Sequence, residues 1–196
     1  DLQQRLGAPF APEDIALTTG AFAGLLVVCK VLTEQGDEII FNMPGWFFYE
    51  AIIGQTGGVP VCVRTRADNF DLDLKAIETA ITPRTRAVMP VSLYGQVADM
   101  GEINDIASRH GLAVIEDACQ SHGAEYMGKQ VGSMGTGTFS LYPTKNMTSA
   151  EGGMITTNDS AIDELCRVLR QHGMRVRYYH DMLGYNFRMT DLHAAI

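Results

Sequence analysis

Short apolar runs of strand length recur along the chain: EIIFN at 38–42, VPVCVRT at 59–65, RAVMPVS at 86–92, LAVIED at 112–117, GTFSLY at 137–142 and GMITT at 153–157. Several are apolar almost without interruption, as strands covered on both faces are. Helical patterns fill most of the gaps between them. In SAIDELCRVLRQH, at 160–172, Ile162, Leu165, Cys166 and Leu169 fall at i, i+3, i+4 and i+7, and Gly173 follows as a stop. Over 99–110, Asp99 and Glu102 have capping-box spacing, Ile103, Ile106 and Ala107 make an inner face, and Gly111 ends the pattern. A third helix is expected over 21–35, ending at Gly36. Strand and helix in alternation predict right-handed crossovers and an α/β fold: a mainly parallel sheet with helices on both faces. One gap is too short for a crossover. Only PTKNMTSAEG separates GTFSLY from GMITT, so these two runs predict one antiparallel hairpin strand, with Lys145 in the hairpin loop.

Ligands of such sheets bind beyond the carboxyl ends of the strands, and three segments reach that edge. In LTTGAFAGLL a short strand turns at Gly20 into a helix that opens with Ala21 and Phe22, where free backbone N–H groups suit a phosphate. In LAVIEDACQSHG a strand delivers Glu116 and Asp117, followed by Gln120 and His122; adjacent strand residues face opposite ways, so only one acid can serve a given site. In FSLYPTKNMTSAEGG, Ser140 and Lys145 share the hairpin. A phosphate cradle, a buried carboxylate and a lysine are the parts that pyridoxal phosphate (PLP) requires. Trp46, in PGWFFYE, could stack on the ring of such a cofactor or fill the core.

Other classes find little support. A net charge of −8 with scattered basic residues argues against nucleic acid, and the one basic cluster, Arg175, Arg177 and His180 in RVRYYHD, is short. His110, His122, His172, His180 and His193 show no metal-binding spacing, and no GxGxxG follows the first strand. No apolar run approaches the roughly 20 residues that span a bilayer. Cys29, Cys62, Cys119 and Cys166 form no CxxC pair and no cleavable leader precedes them, so a cytoplasmic setting is expected. A chain of 196 residues is expected to make a single domain.

From about residue 81 the sequence resembles the DegT-like sugar aminotransferases, a branch of the fold-type-I PLP enzymes. The resemblance rests on ITPRTRAVMPVSLYGQVADM, VIEDACQSHGAEYMGKQVGS, FSLYPTKNMTSAEGGMITTND and HGMRVRYYHDMLGYNFRMTDLHAAI. The first eighty residues, with EDIALTTGAFAGLL, GDEIIFNMPGWFFYEAI and FDLDLKAIETAITPRT, look more like the class I and II amino-acid aminotransferases. The resemblance implies that Lys145 forms the Schiff base with PLP, that Asp117 pairs with the pyridine nitrogen, and that Gln120 lies near the ring hydroxyl. It implies that Ser140, with the Gly20 turn and the backbone of Ala21 and Phe22, holds the phosphate, and that Trp46 stacks on the ring. Asn186, in GYNFR, would reach the phosphate of a neighbouring subunit, which implies a homodimer or higher homo-oligomer; oligomerisation is also expected to cover exposed sheet edges.

The chain then corresponds to the PLP-binding large domain of full-length relatives, without their N-terminal arm and C-terminal small domain. The implied reaction is transamination, with small molecules as partners: an amino donor such as glutamate and a keto sugar or 2-oxo acid as acceptor. The alternative is a truncated or recombined domain that binds the cofactor, or self-associates, without turnover.

Overall fold

The computed structural model describes residues 11–196. A short 3-10 turn at Pro12–Asp14 leads into β1 (Ile15–Thr18), α1 (Ala21–Leu32), β2 (Glu38–Met43), α2 (Tyr49–Gln55) and β3 (Val59–Arg64). Then come α3 (Leu74–Thr79), β4 (Thr85–Met89), α4 (Met100–His110) and β5 (Ala113–Asp117). A small hairpin, β6 (Glu125–Tyr126) and β7 (Lys129–Gln130), precedes β8 (Thr136–Ser140), β9 (Gly153–Thr156) and α5 (Ser160–Arg170). Beyond these lie the hairpin of β10 (Met174–Val176) with β11 (Tyr179–His180), and the short α6 (Asp191–Ala194).

Seven strands form one sheet in the order β1-β9-β8-β5-β4-β2-β3. All pairings are parallel except those of β9, which runs antiparallel to both β8 and β1. The α/β reading, with a single antiparallel hairpin strand, therefore stands. The period-2 alternation of strand side chains sorts the core into two layers. Ile39, Phe41, Ala87, Met89 and Ile115 pack on one face with residues of α1, α2 and α5. Ile40, Val88 and Val114 pack on the other with Ile77 of α3 and with Met100, Ile103 and Ala107 of α4. Each fully buried Ile or Phe contributes about 1.5–3 kcal/mol, so a one-residue slip of a central strand would forfeit a whole row of such contacts.

Helix ends depart from the sequence pattern in three places, one of them α5, which stops at Arg170 rather than at His172. α1 stops at Leu32, not at residue 35, because Thr33 turns extended and its hydroxyl donates to the Cys29 carbonyl at 2.6 Å. Gly36, at φ +87°, instead makes the turn into β2. At α4 the expected capping box does not form: the Asp99 carboxylate accepts from the Tyr126 hydroxyl at 2.5 Å and makes no cap bond. Where the sequence pattern is followed, the caps are well made; Asp159 accepts from the N–H groups of Ala161 and Ile162 at the start of α5, and Gly111 is left-handed after α4.

The β1 edge is covered from within the chain. Arg167 and Arg170 of α5 donate to the carbonyls of Ile15 and Leu17, and Thr19 N–H donates to the Phe187 carbonyl at 2.7 Å. Among the described residues no helix is long and apolar enough to cross a membrane.

Candidate active site

A cavity of about 950 Å³ opens beyond the carboxyl ends of β2, β4, β5 and β8. Gly20, Ala21, Phe22, Trp46, Asp117, Gln120, Ser140 and Lys145 line it, whereas Glu116, His122 and Asn186 do not. Asn186 is exposed and pairs through its backbone with Gln171.

One wall is the start of α1. Gly20 caps the helix without any side-chain bond, and the first intrahelical contact of the turn runs from Gly24 N–H to the Gly20 carbonyl at 3.0 Å. The N–H groups of Ala21, Phe22 and Ala23 therefore have no acceptor within the helix, and the positive end of a twelve-residue helix stands behind them. A Cβ at Gly20 would meet nothing within 4 Å, so the turn borders open space. Behind it lies Gly153 of β9, where a Cβ would come within 2.4 Å of the Gly20 carbonyl carbon. The close approach of β9 to the turn requires glycine there.

The floor is acidic. Asp117 ends β5 and is 5% exposed; its Oδ1 accepts from Cys119 N–H at 3.0 Å and its Oδ2 accepts from the Tyr49 hydroxyl. Glu116, one residue earlier, points to the other face of the sheet and accepts from Gly132 N–H and Met134 N–H, both at 2.7 Å. Burial pushes the Glu116 carboxyl up and these backbone donors pull it back, so it serves structure rather than the site. The choice between the two acids, open in the sequence, is thereby made.

Lys145 approaches from the β8–β9 loop. Its backbone N–H donates to the Tyr142 carbonyl at 3.0 Å, and Leu141 N–H to the Gly152 carbonyl at 2.8 Å, which closes the loop over the strand ends. No hydrogen-bond partner of its Nζ is found among the described residues. Its charge acts on both Cys119 and His122. Burial drives the Cys119 thiol well above its ordinary range, with the Asp117 charge adding to the rise, and burial likewise depresses His122. Both are held neutral. Ser140 ends β8, and its Oγ accepts from Tyr142 N–H at 3.3 Å. Trp46 is half-buried and is held edge-on by Phe22, Phe48 and Tyr49, at ring-centroid distances of 5.9, 5.1 and 5.8 Å.

Two wall residues were not anticipated. Asn42, the last but one residue of β2, is 4% exposed, and neither its amide nitrogen nor its amide oxygen has a hydrogen-bond partner. Its one sequence signal is an amide closing the apolar run EIIFN. Tyr49 gave none, because the carboxylate it bonds lies 68 residues along the chain. The cavity thus joins a lysine and a positive helix end to a buried carboxylate across largely apolar walls.

Known proteins carry the same framework. A family model described as the DegT/DnrJ/EryC1/StrS aminotransferase family matches residues 4–196. The chain belongs to that family. The match runs through the first eighty residues as well, which from sequence were expected to stand nearer to the amino-acid branch. A pleiotropic regulatory protein of Geobacillus stearothermophilus is 48% identical over 163 residues, 82% of this chain and 44% of the relative. GDP-perosamine synthase of Caulobacter vibrioides is 43% identical over 185 residues, 93% of this chain and 50% of that enzyme. Among solved structures, DesV of S. venezuelae in complex with a ketimine intermediate superposes with a TM-score of 0.87 at 34% identity, covering 99% of this chain and 58% of that one. The fold is thus that of the fold-type-I aminotransferases, and the chain spans about half the length of the curated relatives it matches.

Proposed function

We propose that this chain is the PLP-binding large domain of a sugar aminotransferase, which moves an amino group from an amino acid such as glutamate to a keto sugar. The observation that carries the reading is the meeting, in one cavity, of Lys145, the Asp117 carboxylate and the donor turn at Gly20. The residues present fit the cofactor. The turn offers unpaired N–H groups beside open space, the carboxylate is buried and ready to accept from a ring N–H, and the Asn42 amide has both its polar groups unmatched by protein. Two solved structures of similar fold hold the cofactor: NtdA from Bacillus subtilis with bound PMP, and the sugar aminotransferase Spr1654 from Streptococcus pneumoniae in its PLP form.

Bound on Lys145, PLP supplies the electron sink that lets an amino group leave one carbon and join another. The chain does the rest. Ala21 and Phe22 N–H groups and the Ser140 hydroxyl would hold the phosphate end, and Trp46 would limit the cavity beside the ring. Asp117 would accept from the ring nitrogen, and Gln120, on the cavity wall, would lie near the ring hydroxyl. Lys145 Nζ would hold the cofactor and take the proton that leaves the donor's α carbon. The acceptor is read as a keto sugar rather than a 2-oxo acid because GDP-perosamine synthase and other sugar transaminases are among the similar proteins. Asn186, exposed and away from this cavity, would serve the cavity of a second copy in a homodimer.

The test is reduction with borohydride after addition of PLP, followed by peptide mass mapping. The expected result is a pyridoxyl adduct on Lys145 that is absent from Lys145→Ala. Label spread over surface lysines such as Lys75 and Lys129 refutes the reading. Turnover is checked separately, by release of 2-oxoglutarate from added glutamate.

A further inference from the structure

Tyr49 touches both Asp117 and Trp46, and all three line the candidate cavity. The Tyr49 side chain is 2% exposed. Its hydroxyl donates to Asp117 Oδ2, while its ring packs edge-on against Trp46 at 5.8 Å and against Phe41 at 5.9 Å. Space for it is provided by Gly45: a Cβ there would come within 3.2 Å of the Tyr49 ring and 2.5 Å of the Asn42 carbonyl oxygen. The carboxylate is therefore gripped at both oxygens, by a phenol from α2 on one side and by Cys119 N–H on the other. Each oxygen keeps a lone pair for a further donor.

We propose that Tyr49 is a positioning residue for the cofactor site: its hydroxyl fixes the orientation of the Asp117 carboxylate, so that the carboxylate is held toward the ring nitrogen of a bound pyridine ring. This rests on the reading of the cavity as a PLP site. Burial, and next the Asp117 charge, push the phenol far above its ordinary range, so Tyr49 remains a donor at any working pH. The other ionisable groups around Asp117 are Cys119 and His122 on its own loop, both held neutral, and Lys145 from the β8–β9 loop.

The test reads the pH midpoint of the visible absorbance of PLP bound on Lys145. Tyr49→Phe removes the hydroxyl and keeps the ring. The Asp117 carboxylate is then held by Cys119 N–H alone, its grip on the ring N–H loosens, a less cationic ring withdraws less charge from the Schiff-base nitrogen, and the midpoint rises by about half to one pH unit. Tyr49→3-fluorotyrosine keeps ring and hydroxyl but makes the phenol a stronger donor, and the midpoint falls. In an Asp117→Asn background, Tyr49→Phe leaves the midpoint where Asp117→Asn alone has put it. Midpoints in both Tyr49 variants that match wild type overturn the proposal. So does a Tyr49→Phe protein that loses cofactor while the 3-fluorotyrosine protein titrates as wild type does, since Tyr49 would then act only in packing. A wild-type protein with no absorbance from Lys145-bound PLP refutes the cofactor reading itself and this inference with it.

Discussion

Substituting Gly153 with alanine tests the phosphate turn without touching any group that would contact the cofactor. Gly153 lies in β9 with backbone angles that alanine also adopts, so only the new methyl matters. That methyl would stand 2.4 Å from the Gly20 carbonyl carbon, 2.5 Å from Ala21 N and 2.6 Å from the Gly20 oxygen, where ordinary contact begins at 3.4 Å. The turn must retreat by about 1 Å, an overpacking strain of about 1–3 kcal/mol. A shift of that size takes an N–H donor out of its 2.7–3.2 Å range. A lost bond to a charged acceptor is worth about 1.5–3 kcal/mol, and about 1.4 kcal/mol is a tenfold change in Kd. Gly153→Ala should therefore weaken PLP binding roughly ten- to a hundredfold in an absorbance titration. Pyridoxal, which has no phosphate, should lose almost nothing, and the fold should survive by circular dichroism. An unchanged PLP affinity refutes the placing of the phosphate at this turn. An equal loss for pyridoxal also refutes it, because the methyl would then be distorting the whole cavity.

Asn42→Leu replaces a buried amide, unpaired at both ends, with an apolar side chain of similar size. Because an unpaired buried polar group costs about 1–3 kcal/mol, the cofactor-free protein should melt a few degrees higher by calorimetry; a lower melting temperature refutes the orphan assignment. Glu38 sets an acid limb to stability. The Thr82 hydroxyl, at 2.5 Å, and then Arg84 and Thr85 hold its carboxyl below the ordinary 4.5. A depressed folded pKa gives stability that is present above the unfolded value and lost as pH falls through the folded one. Between about pH 5 and pH 3 wild type should lose more of its urea midpoint than Glu38→Gln, and parallel losses refute the assignment.

Much of this fold is written in local pattern. EIIFN alone places Ile39 and Phe41 in one core layer and Ile40 in the other, because a strand cannot do otherwise with three consecutive large apolar residues. The ten residues between GTFSLY and GMITT fix an antiparallel return, since no crossover helix fits, and so hold Lys145 at the strand ends. Caps read less well. Asp99 had the spacing of a capping box, yet its carboxylate is taken by Tyr126, which approaches from another part of the chain. The expected exposure of the sheet edges was likewise only half legible, because the arginines that cover β1 come from α5.

The sequence by itself determined the element order, the parallel sheet with one reversed strand, and the residue types gathered at its carboxyl edge. Tertiary structure alone decided which of two adjacent acids faces the cavity, that Tyr49 bonds it, and that Gly153 must be small to admit the Gly20 turn. Periodicity reports how a segment meets water and core, and each segment carries that information within itself. A hydrogen bond or a close backbone approach between distant segments depends on how the strands order and register in space, and the residues involved carry no local mark of it.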